Sequence, residues 1–178
     1  MRPTPYAAKA RTRISVWSVY FAAVLLFAQC KMKGGDSSKG ASENHAQAPS
    51  GSVRFLRAGE GDVALLARSE RARRLADARR LVVYVGATWC EPCQKFHHAI
   101  ERGELDGTFP DLTLLEFDLD KDHERLDKAG YVSRYIPLFA LPKEDGTASG
   151  KQIEGGIKGD GAVDFISAKL KAFLAQKE

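Results

Sequence analysis

The chain has 178 residues, enough for one folded domain with additional segments. Its hydrophobic fraction of 44% is ordinary for a globular protein. The net charge of +4 arises at the N-terminus, because residues 1–29 hold four of the 27 basic residues and no acid, which leaves 23 charges of each sign elsewhere. A neutral remainder argues against nucleic acid as a partner.

A basic segment at residues 1–13 precedes a mostly apolar run at residues 14–28. This order is typical of a secretory signal, and about fifteen apolar residues are fewer than a membrane-spanning helix needs. Cys30 closes the run and resembles the lipidation site of a bacterial lipoprotein signal, although Gln29 stands where a small residue is usual. We therefore expect residues 1–29 to be a signal peptide and Cys30 to become a lipidated N-terminus. A plain cleaved signal and a short uncleaved anchor are the alternatives.

Residues 30–52 are rich in Gly, Ser, Lys and Ala and offer almost nothing to bury. Such a segment cannot offset the entropy lost on ordering, so we expect a flexible tether. Together with Cys30, the tether predicts an exported protein that a lipid anchor holds on a membrane of the bacterial periplasm or cell envelope.

The folded domain is predicted over residues 53–178 and begins with a short edge strand at residues 53–56. Asp62 fits the N-cap of a helix that runs to about residue 79. The apolar face of this helix is expected to carry Val63, Leu66 and Leu75. A run of arginines is interpreted as a solvated face. These arginines are Arg68, Arg71, Arg73, Arg74, Arg79 and Arg80.

The apolar run at residues 81–85 does not alternate, so it predicts a strand that is buried on both faces. A helix is expected from Glu91 to about Leu105, and another central strand at residues 112–118. A short helix at residues 122–129 should follow. We further expect a strand at 137–141, a turn at 143–146 and an edge strand at 151–155. A final helix, capped by Asp160, should complete the domain. Its apolar side is expected to carry Val163, Ile166, Leu170, Phe173 and Leu174.

The sequence WCEPC at residues 89–93 lies between the buried strand and the next helix. Two cysteines in a strand–loop–helix context favour thiol–disulfide chemistry. Cys90 would lie at the helix N-terminus, where unpaired backbone N–H groups and the helix dipole stabilise a thiolate. Cys93 would lie on the same helix face, less exposed and close enough to form a disulfide. Pro92 fits the first turn, where its missing N–H costs nothing.

This segment resembles the thioredoxin superfamily, because Trp89 precedes the first cysteine and Pro92 precedes the second. Ile136-Pro137 follows at about the interval of the family's cis-proline, and Gly155-Gly156 and a final helix come in family order. The resemblance covers roughly residues 60–176. It implies an α/β chain with a thioredoxin-like fold, in which helices flank both faces of a central mixed β-sheet.

The resemblance also implies the roles of the site residues. Cys90 would attack a substrate disulfide as the thiolate, and Cys93 would resolve the mixed disulfide. Ile136, before a cis Pro137, would offer its backbone to the substrate peptide. The activity expected is that of an exported thiol–disulfide oxidoreductase that needs no cofactor. Its partners would be protein thiols and disulfides and an upstream redox partner.

Trp89, Glu91 and Pro92 are expected to support the two cysteines. The negative charge of Glu91 disfavours a neighbouring thiolate, which makes the dithiol a better reductant than oxidant. Tyr84 departs from the family, since thioredoxins place a buried aspartate there as the proton acceptor for the second cysteine. A tyrosine is no base near neutral pH. Either Lys95, Glu116 or water substitutes for the aspartate, or Cys93 loses its proton more slowly.

A metal-binding module is the alternative from another class of protein. His97 follows Cys93 by four residues and could join Cys90 and Cys93 in a site for a soft metal such as copper. Copper-delivery relatives of the fold space their cysteines differently, and a structural zinc site would need a second cysteine pair. A redox-inactive interaction domain is a third alternative, which the presence of both cysteines disfavours. We therefore expect no metal.

Overall fold

The computed structural model describes residues 51–176. The predicted signal peptide, Cys30 and nearly all of the predicted tether lie outside the described residues. Within residues 51–176, no helix is both long enough and apolar enough to cross a membrane.

Strands and helices alternate along the described part of the chain, except that the last two strands follow each other directly. The strands are β1 (Arg54–Arg57), β2 (Arg80–Gly86), β3 (Leu112–Asp118), β4 (Leu138–Pro142) and β5 (Ala148–Glu154). The helices are α1 (Val63–Ala76), α2 (Glu91–Glu101), α3 (Leu119–Lys128) and α4 (Ala162–Leu174). Each predicted strand and helix is thereby confirmed, with boundaries that differ by a few residues.

The strands form one mixed sheet in the order β1-β3-β2-β4-β5. β1, β3 and β2 run parallel, and β4 is antiparallel to both β2 and β5. The predicted edge strands β1 and β5 lie at the two edges, and β2 lies in the middle. In the register of the sheet, Tyr84 pairs with Glu116 on β3, and Val85 pairs with Leu138 on β4.

Two hydrophobic clusters cover the two faces of this sheet. On one face, Phe96 of α2 and Ile166 of α4 pack with Tyr84. On the other face, Leu126 of α3 packs with Val83 and with buried residues of α1. Successive side chains of a strand point to opposite faces, so the continuous apolar run of β2 is buried on both. A mixed sheet between two helical layers, in this strand order, is the thioredoxin-like fold that the sequence predicted.

Helix boundaries differ from the prediction where capping decides them. α3 begins at Leu119 because Asp118 is its N-cap and accepts hydrogen bonds from the backbone N–H groups of Asp120 and Lys121. The prediction that Asp160 caps the final helix is wrong. The N-cap of α4 is Gly161, which has no side-chain hydrogen bond, and Asp160 pairs instead with Lys95 at 3.1 Å.

The apolar face of α1 also differs in part from the prediction. Asp62 is the N-cap, as predicted, and accepts a hydrogen bond from the backbone N–H of Leu65. Val63 is buried, but the side chain of Leu75 is 59% exposed, and the second fully buried residue of α1 is Ala67. Ala67 follows Val63 by four residues and lies on the same helix face, whereas Leu75, in the last turn of α1, lies about 120° around the helix from Val63.

Arg79 is a clear exception to the predicted solvated face of arginines. The residue lies beyond the end of α1 and is buried. Its guanidinium donates through Nε to Thr113 Oγ1 at 3.0 Å and through Nη2 to the carbonyls of Ser52 and Leu112, each at 2.6 Å. Nη1 donates to the carbonyl of Pro110 at 3.2 Å. One side chain thus ties the first described residues to β3 and the loop before it.

Replacing Arg79 with Met should lower the free energy of unfolding by about 2–4 kcal/mol, because it leaves buried carbonyls without donors. Urea denaturation of the full-length chain measures this loss. Arg68→Met is the matched control, since Arg68 is exposed on α1 and its loss should stay within about 0.5 kcal/mol. Equal effects of the two substitutions would contradict the structural role of Arg79.

Candidate active site

The two cysteines of the motif lie at the N-terminus of α2. β2 ends at Gly86, and the short segment that follows leads directly to Cys90, the N-cap of the helix. Cys90 and Cys93 form a disulfide, and the backbone N–H of Cys93 donates to Cys90 Sγ at 3.3 Å. Pro92 lies in the first turn, as its lack of an N–H allows. The sequence spacing thus produces a redox-capable pair at a helix start.

Exposure does not distinguish the two cysteines in the disulfide form. Cys90 is 5% exposed and Cys93 is 3% exposed, so the expected difference between them is small. Their surroundings do differ, because each cysteine lines a different depression of the surface. The Cys90 groove is lined by Trp89, Cys90, Pro92, Tyr135, Ile136 and Gly156 among others. The Cys93 cleft is lined by Tyr84, Gly86, Cys93, His97 and Glu116 among others.

The loop before β4 forms one wall of the Cys90 groove. The Ile136–Pro137 peptide bond is cis, which confirms the prediction. The pairing of Val85 with Leu138 brings this loop beside the end of β2, and Ile136 packs against the small cluster that contains both cysteines. The register of the sheet therefore unites two segments that are far apart in sequence.

Glu154 holds the same loop from β5. Its Oε2 accepts hydrogen bonds from the backbone N–H groups of Arg134 at 2.8 Å and Tyr135 at 3.3 Å. Lys169 of α4 in turn donates to the carbonyl of Glu154 at 2.8 Å. The wall of the groove is thus braced by two further elements, which no local sequence pattern indicates.

Gly156 permits the closest approach in the groove. A Cβ atom built on Gly156 would lie 2.9 Å from Cβ of Pro92, nearer than real side chains approach. The Gly155-Gly156 pair therefore lets the loop after β5 pack directly on the first turn of α2. The sequence indicated this glycine pair only through its place in the family order, and the contact with Pro92 gives a physical reason for it.

Exposed aromatic residues form the rim of the Cys90 groove. Trp89 is 64% exposed, and its Nε1 donates to Asp120 Oδ2 at 2.9 Å. Tyr135 is 67% exposed, and Phe165 of α4 also remains accessible. Sequence reasoning did not identify Tyr135 or Phe165 as site residues, although Phe165 lies off the buried stripe of α4. An apolar rim around a reactive sulfur suits a peptide chain better than a small polar molecule.

Glu91 has a specific partner beside the helix start. Its Oε1 accepts a hydrogen bond from the backbone N–H of Gly159 at 3.0 Å. The carboxylate is thus held at the loop before α4 and lines the Cys90 groove. The negative charge is therefore fixed in the groove that Cys90 also lines.

His97 does not join the two cysteines in a metal site. Its Nδ1 lies 3.0 Å from Glu101 Oε1, and its Nε2 lies 3.1 Å from Glu116 Oε1. In the part of the chain that the structure describes, no group of three or more His, Cys, Asp or Glu side chains could hold a metal ion. The geometry gives the metal alternative no support.

Tyr84 occupies the position of the expected buried aspartate. Burial, and secondarily the negative charge of Glu116, raise the pKa of Tyr84 well above its usual range. Its ring packs against Phe55 and Phe139, with ring centroids 5.1 and 5.3 Å away. Tyr84 therefore remains a neutral phenol at any physiological pH and cannot accept a proton.

Comparisons with solved structures return thioredoxins. A mutant thioredoxin from Halobacterium salinarum is 16% identical, with a TM-score of 0.43, and 74% of this chain covers 98% of that one. Spinach chloroplast thioredoxin f is 20% identical, with a TM-score of 0.43 and coverage of 72% and 99%. A poplar thioredoxin h is 22% identical, with a TM-score of 0.42 and coverage of 71% and 100%. No protein-family model and no curated protein matches the chain.

Proposed function

We propose that this chain is a thiol–disulfide oxidoreductase that acts on protein thiols and disulfides through Cys90 and Cys93. The observation that supports this most directly is the Cys90–Cys93 disulfide at the N-terminus of α2, with the two cysteines lining different depressions. A two-residue loop constrains little chain entropy, so such a disulfide stabilises the fold only slightly. A redox role explains the pair better than a structural one.

The arrangement supports different roles for the two cysteines. The Cys90 thiolate would attack a substrate disulfide lying in the Cys90 groove, between Trp89 and the Ile136 backbone. One substrate sulfur leaves as a thiolate, and a mixed disulfide with Cys90 forms. The Cys93 thiolate then attacks Cys90 Sγ, releases the second substrate sulfur and closes the Cys90–Cys93 disulfide. The substrate gains two electrons and two protons, and the enzyme dithiol loses them.

We expect Cys93→Ser to accumulate mixed disulfides through Cys90, because the resolving thiol is missing. Purified chains carrying Cys30→Ala, so that only the motif cysteines remain, are reduced and mixed with oxidised insulin. Non-reducing electrophoresis and mass spectrometry then identify the linked cysteine. Cys90→Ser is the matched control and should trap far less. Trapping mainly through Cys93 would reverse the roles, and failure of the parent chain to reduce insulin would contradict the function.

We further propose that the couple donates electrons rather than accepting them. Glu91 supports this direction, because its carboxylate is held at the helix start by the N–H of Gly159. A fixed negative charge opposes the thiolate of the reduced form, and a less stable thiolate makes the dithiol a stronger reductant. The partial charge at the helix N-terminus acts in the opposite sense on the same sulfur.

Glu91→Gln should make the couple more oxidising by up to about 30 mV, the equivalent of one pKa unit for two electrons. The substitution retains an oxygen that can accept from Gly159, so it removes charge with little change in shape. Equilibration with glutathione buffers measures the potential. Glu104→Gln, which removes an exposed charge beyond the end of α2, is the control and should change little. An unchanged or more negative potential in Glu91→Gln would contradict the electrostatic account.

We also propose that the protein is exported and held on a membrane through a lipid at Cys30. The basic and apolar segments before Cys30 and the polar tether after it support this location. Two or three acyl chains anchor a protein firmly, at about 0.8 kcal/mol per buried CH₂, whereas one chain does not. A tether of about twenty flexible residues would let the redox site reach a few tens of Å from the membrane surface.

The mature chain is expected to begin at Cys30 and to partition with membranes, and Cys30→Ala should abolish that association. Cell fractionation and N-terminal mass spectrometry measure both properties. Cys90→Ala is the matched control, since it removes a cysteine but should leave the protein on the membrane. A soluble parent protein would point to a plain cleaved signal. Membrane retention of Cys30→Ala would instead point to an uncleaved anchor.

A further inference from the structure

The resolving step of the proposed function needs a proton acceptor for the Cys93 thiol. An unperturbed thiol titrates near pH 8.5, so at neutral pH most of it would be protonated. The neutral phenol of Tyr84 cannot serve, and Lys95 pairs with Asp160 at 3.1 Å and does not line the Cys93 cleft. Of the candidates named from the sequence, Glu116 and water remain, and Glu116 lines the cleft.

We propose that Glu116, together with His97, accepts the proton of Cys93 when the Cys90–Cys93 disulfide forms. This inference rests on the proposed redox function and assigns a residue that the family position does not indicate. The acid lies one strand away from the expected site, because Glu116 of β3 is the registered neighbour of Tyr84 on β2. Adjacent strands are about 4.8 Å apart, so this shift keeps a carboxylate beside the same cleft.

The carboxylate of Glu116 retains an unused acceptor oxygen. Glu116 Oε1 contacts His97, whereas Oε2 is buried and has no hydrogen-bond partner among the described residues. Arg57 Nε lies 3.7 Å from Oε2, but the Arg57 side chain is 89% exposed, so solvent screens this ion pair. Buried oxygens that lack a partner are rare in native proteins, and a proton-transfer role accounts for this one.

His97 extends this acceptor along α2. It follows Cys93 by four residues, which puts both side chains on the same face of the helix, and both line the Cys93 cleft. Its ring stacks on Phe55, with centroids 4.1 Å apart and an interplanar angle of 6°, so its orientation is fixed.

The two ring nitrogens of His97 meet two carboxylates, those of Glu101 and Glu116. A neutral imidazole donates from one nitrogen only, so both contacts are hydrogen bonds only if the three groups share an additional proton. The trio can therefore hold an additional proton, and both contacts are hydrogen bonds in that state.

Other charged groups around the cleft do not replace this acceptor. Asp122 and Arg125 of α3 pair with each other at 2.8 Å. Asp118 caps α3 through its carboxylate, and His98 contacts Glu101 on the exposed side of α2. The remaining charges that line the cleft are Glu60, Arg57 and Lys121. Glu60 and Lys121 are exposed to solvent, in contrast to Glu116 Oε2.

In the proposed step, the Cys93 S–H bond breaks and its proton passes to Glu116 Oε2, directly or through solvent in the cleft. The Cys93 thiolate attacks Cys90 Sγ, and the bond between Cys90 Sγ and the substrate sulfur breaks. The two cysteines are oxidised to the disulfide, and the substrate sulfur leaves with the electron pair. When a reductant later opens the disulfide, Glu116 returns the proton to Cys93.

The test observes the reactions of the Cys90 and Cys93 thiols as two successive kinetic phases. Reduced full-length chain carrying Cys30→Ala is mixed with excess 5,5′-dithiobis(2-nitrobenzoate), and release of the coloured thiolate is followed by stopped flow. The first phase reports attack by Cys90, and the second reports attack of Cys93 on the mixed disulfide. In Glu116→Gln, the second phase should slow at least about tenfold at pH 7 while the first is unchanged. The difference in second-phase rate between Glu116→Gln and the parent chain should shrink towards pH 9, where solvent deprotonates the Cys93 thiol.

Glu124→Gln, at an exposed glutamate of α3, is the matched control and should leave both phases unchanged. His97→Gln tests the contribution of the histidine and should slow the second phase several-fold. This variant keeps the proposal testable if Glu116→Gln does not fold. An unchanged second phase in both variants overturns the proposal, and so does equal slowing of the two phases. Absence of a second phase in the parent chain would instead contradict the proposed redox function.

Discussion

The central position of β2 is the constraint on which the rest of the structure depends. This strand is hydrogen-bonded along both edges, to β3 and to β4, and buried on both faces. A shift by one residue would exchange the side chains that pack in the two clusters, Tyr84 near Phe96 on one face and Val83 near Leu126 on the other. Because β2 ends where the Cys90 loop begins, this rigidity passes to the N-terminus of α2. The antiparallel pairing of Val85 with Leu138 then brings the cis-proline loop to the same place.

The two cysteines face different surroundings on the two sides of α2. On the side of Cys90, exposed aromatic residues and a braced loop form a groove in which backbone groups and apolar surface meet the reactive sulfur. On the side of Cys93, a partly enclosed cleft contains the ionisable groups His97 and Glu116. In the proposed function, substrate contact and proton transfer would therefore use different surfaces, although only two residues separate the cysteines in sequence. Electrons would pass through the disulfide between them.

Four carboxylates that shape the domain and its site satisfy backbone N–H groups. Asp62 and Asp118 cap helices, Glu154 holds the loop before the cis-proline, and Glu91 binds the N–H of Gly159. Each contact uses a charged acceptor, which gives a stronger hydrogen bond than a neutral one. Glu116 differs from these carboxylates, since it has a histidine and a buried free oxygen instead of a backbone donor. This buried oxygen, at the cleft that Cys93 also lines, is the basis on which we propose a role for Glu116 in proton transfer.

The sequence alone determined the elements, the thiol pair at a helix start and, through the resemblance, the fold and the cis bond before Pro137. The elements and the thiol pair follow from local patterns such as continuous apolar runs, the Asp62 cap and the spacing of two cysteines, whereas the fold and the cis bond were implied by the resemblance alone. Only the tertiary structure decided that Arg79 is buried, that Asp160 pairs with Lys95, and that His97 meets Glu116. Each of these outcomes depends on partners between 19 and 65 residues apart in sequence, whose proximity the sheet register and helix packing create. A charged side chain carries no local sign of whether such a partner will be near it, because burial and pairing are properties of the assembled fold.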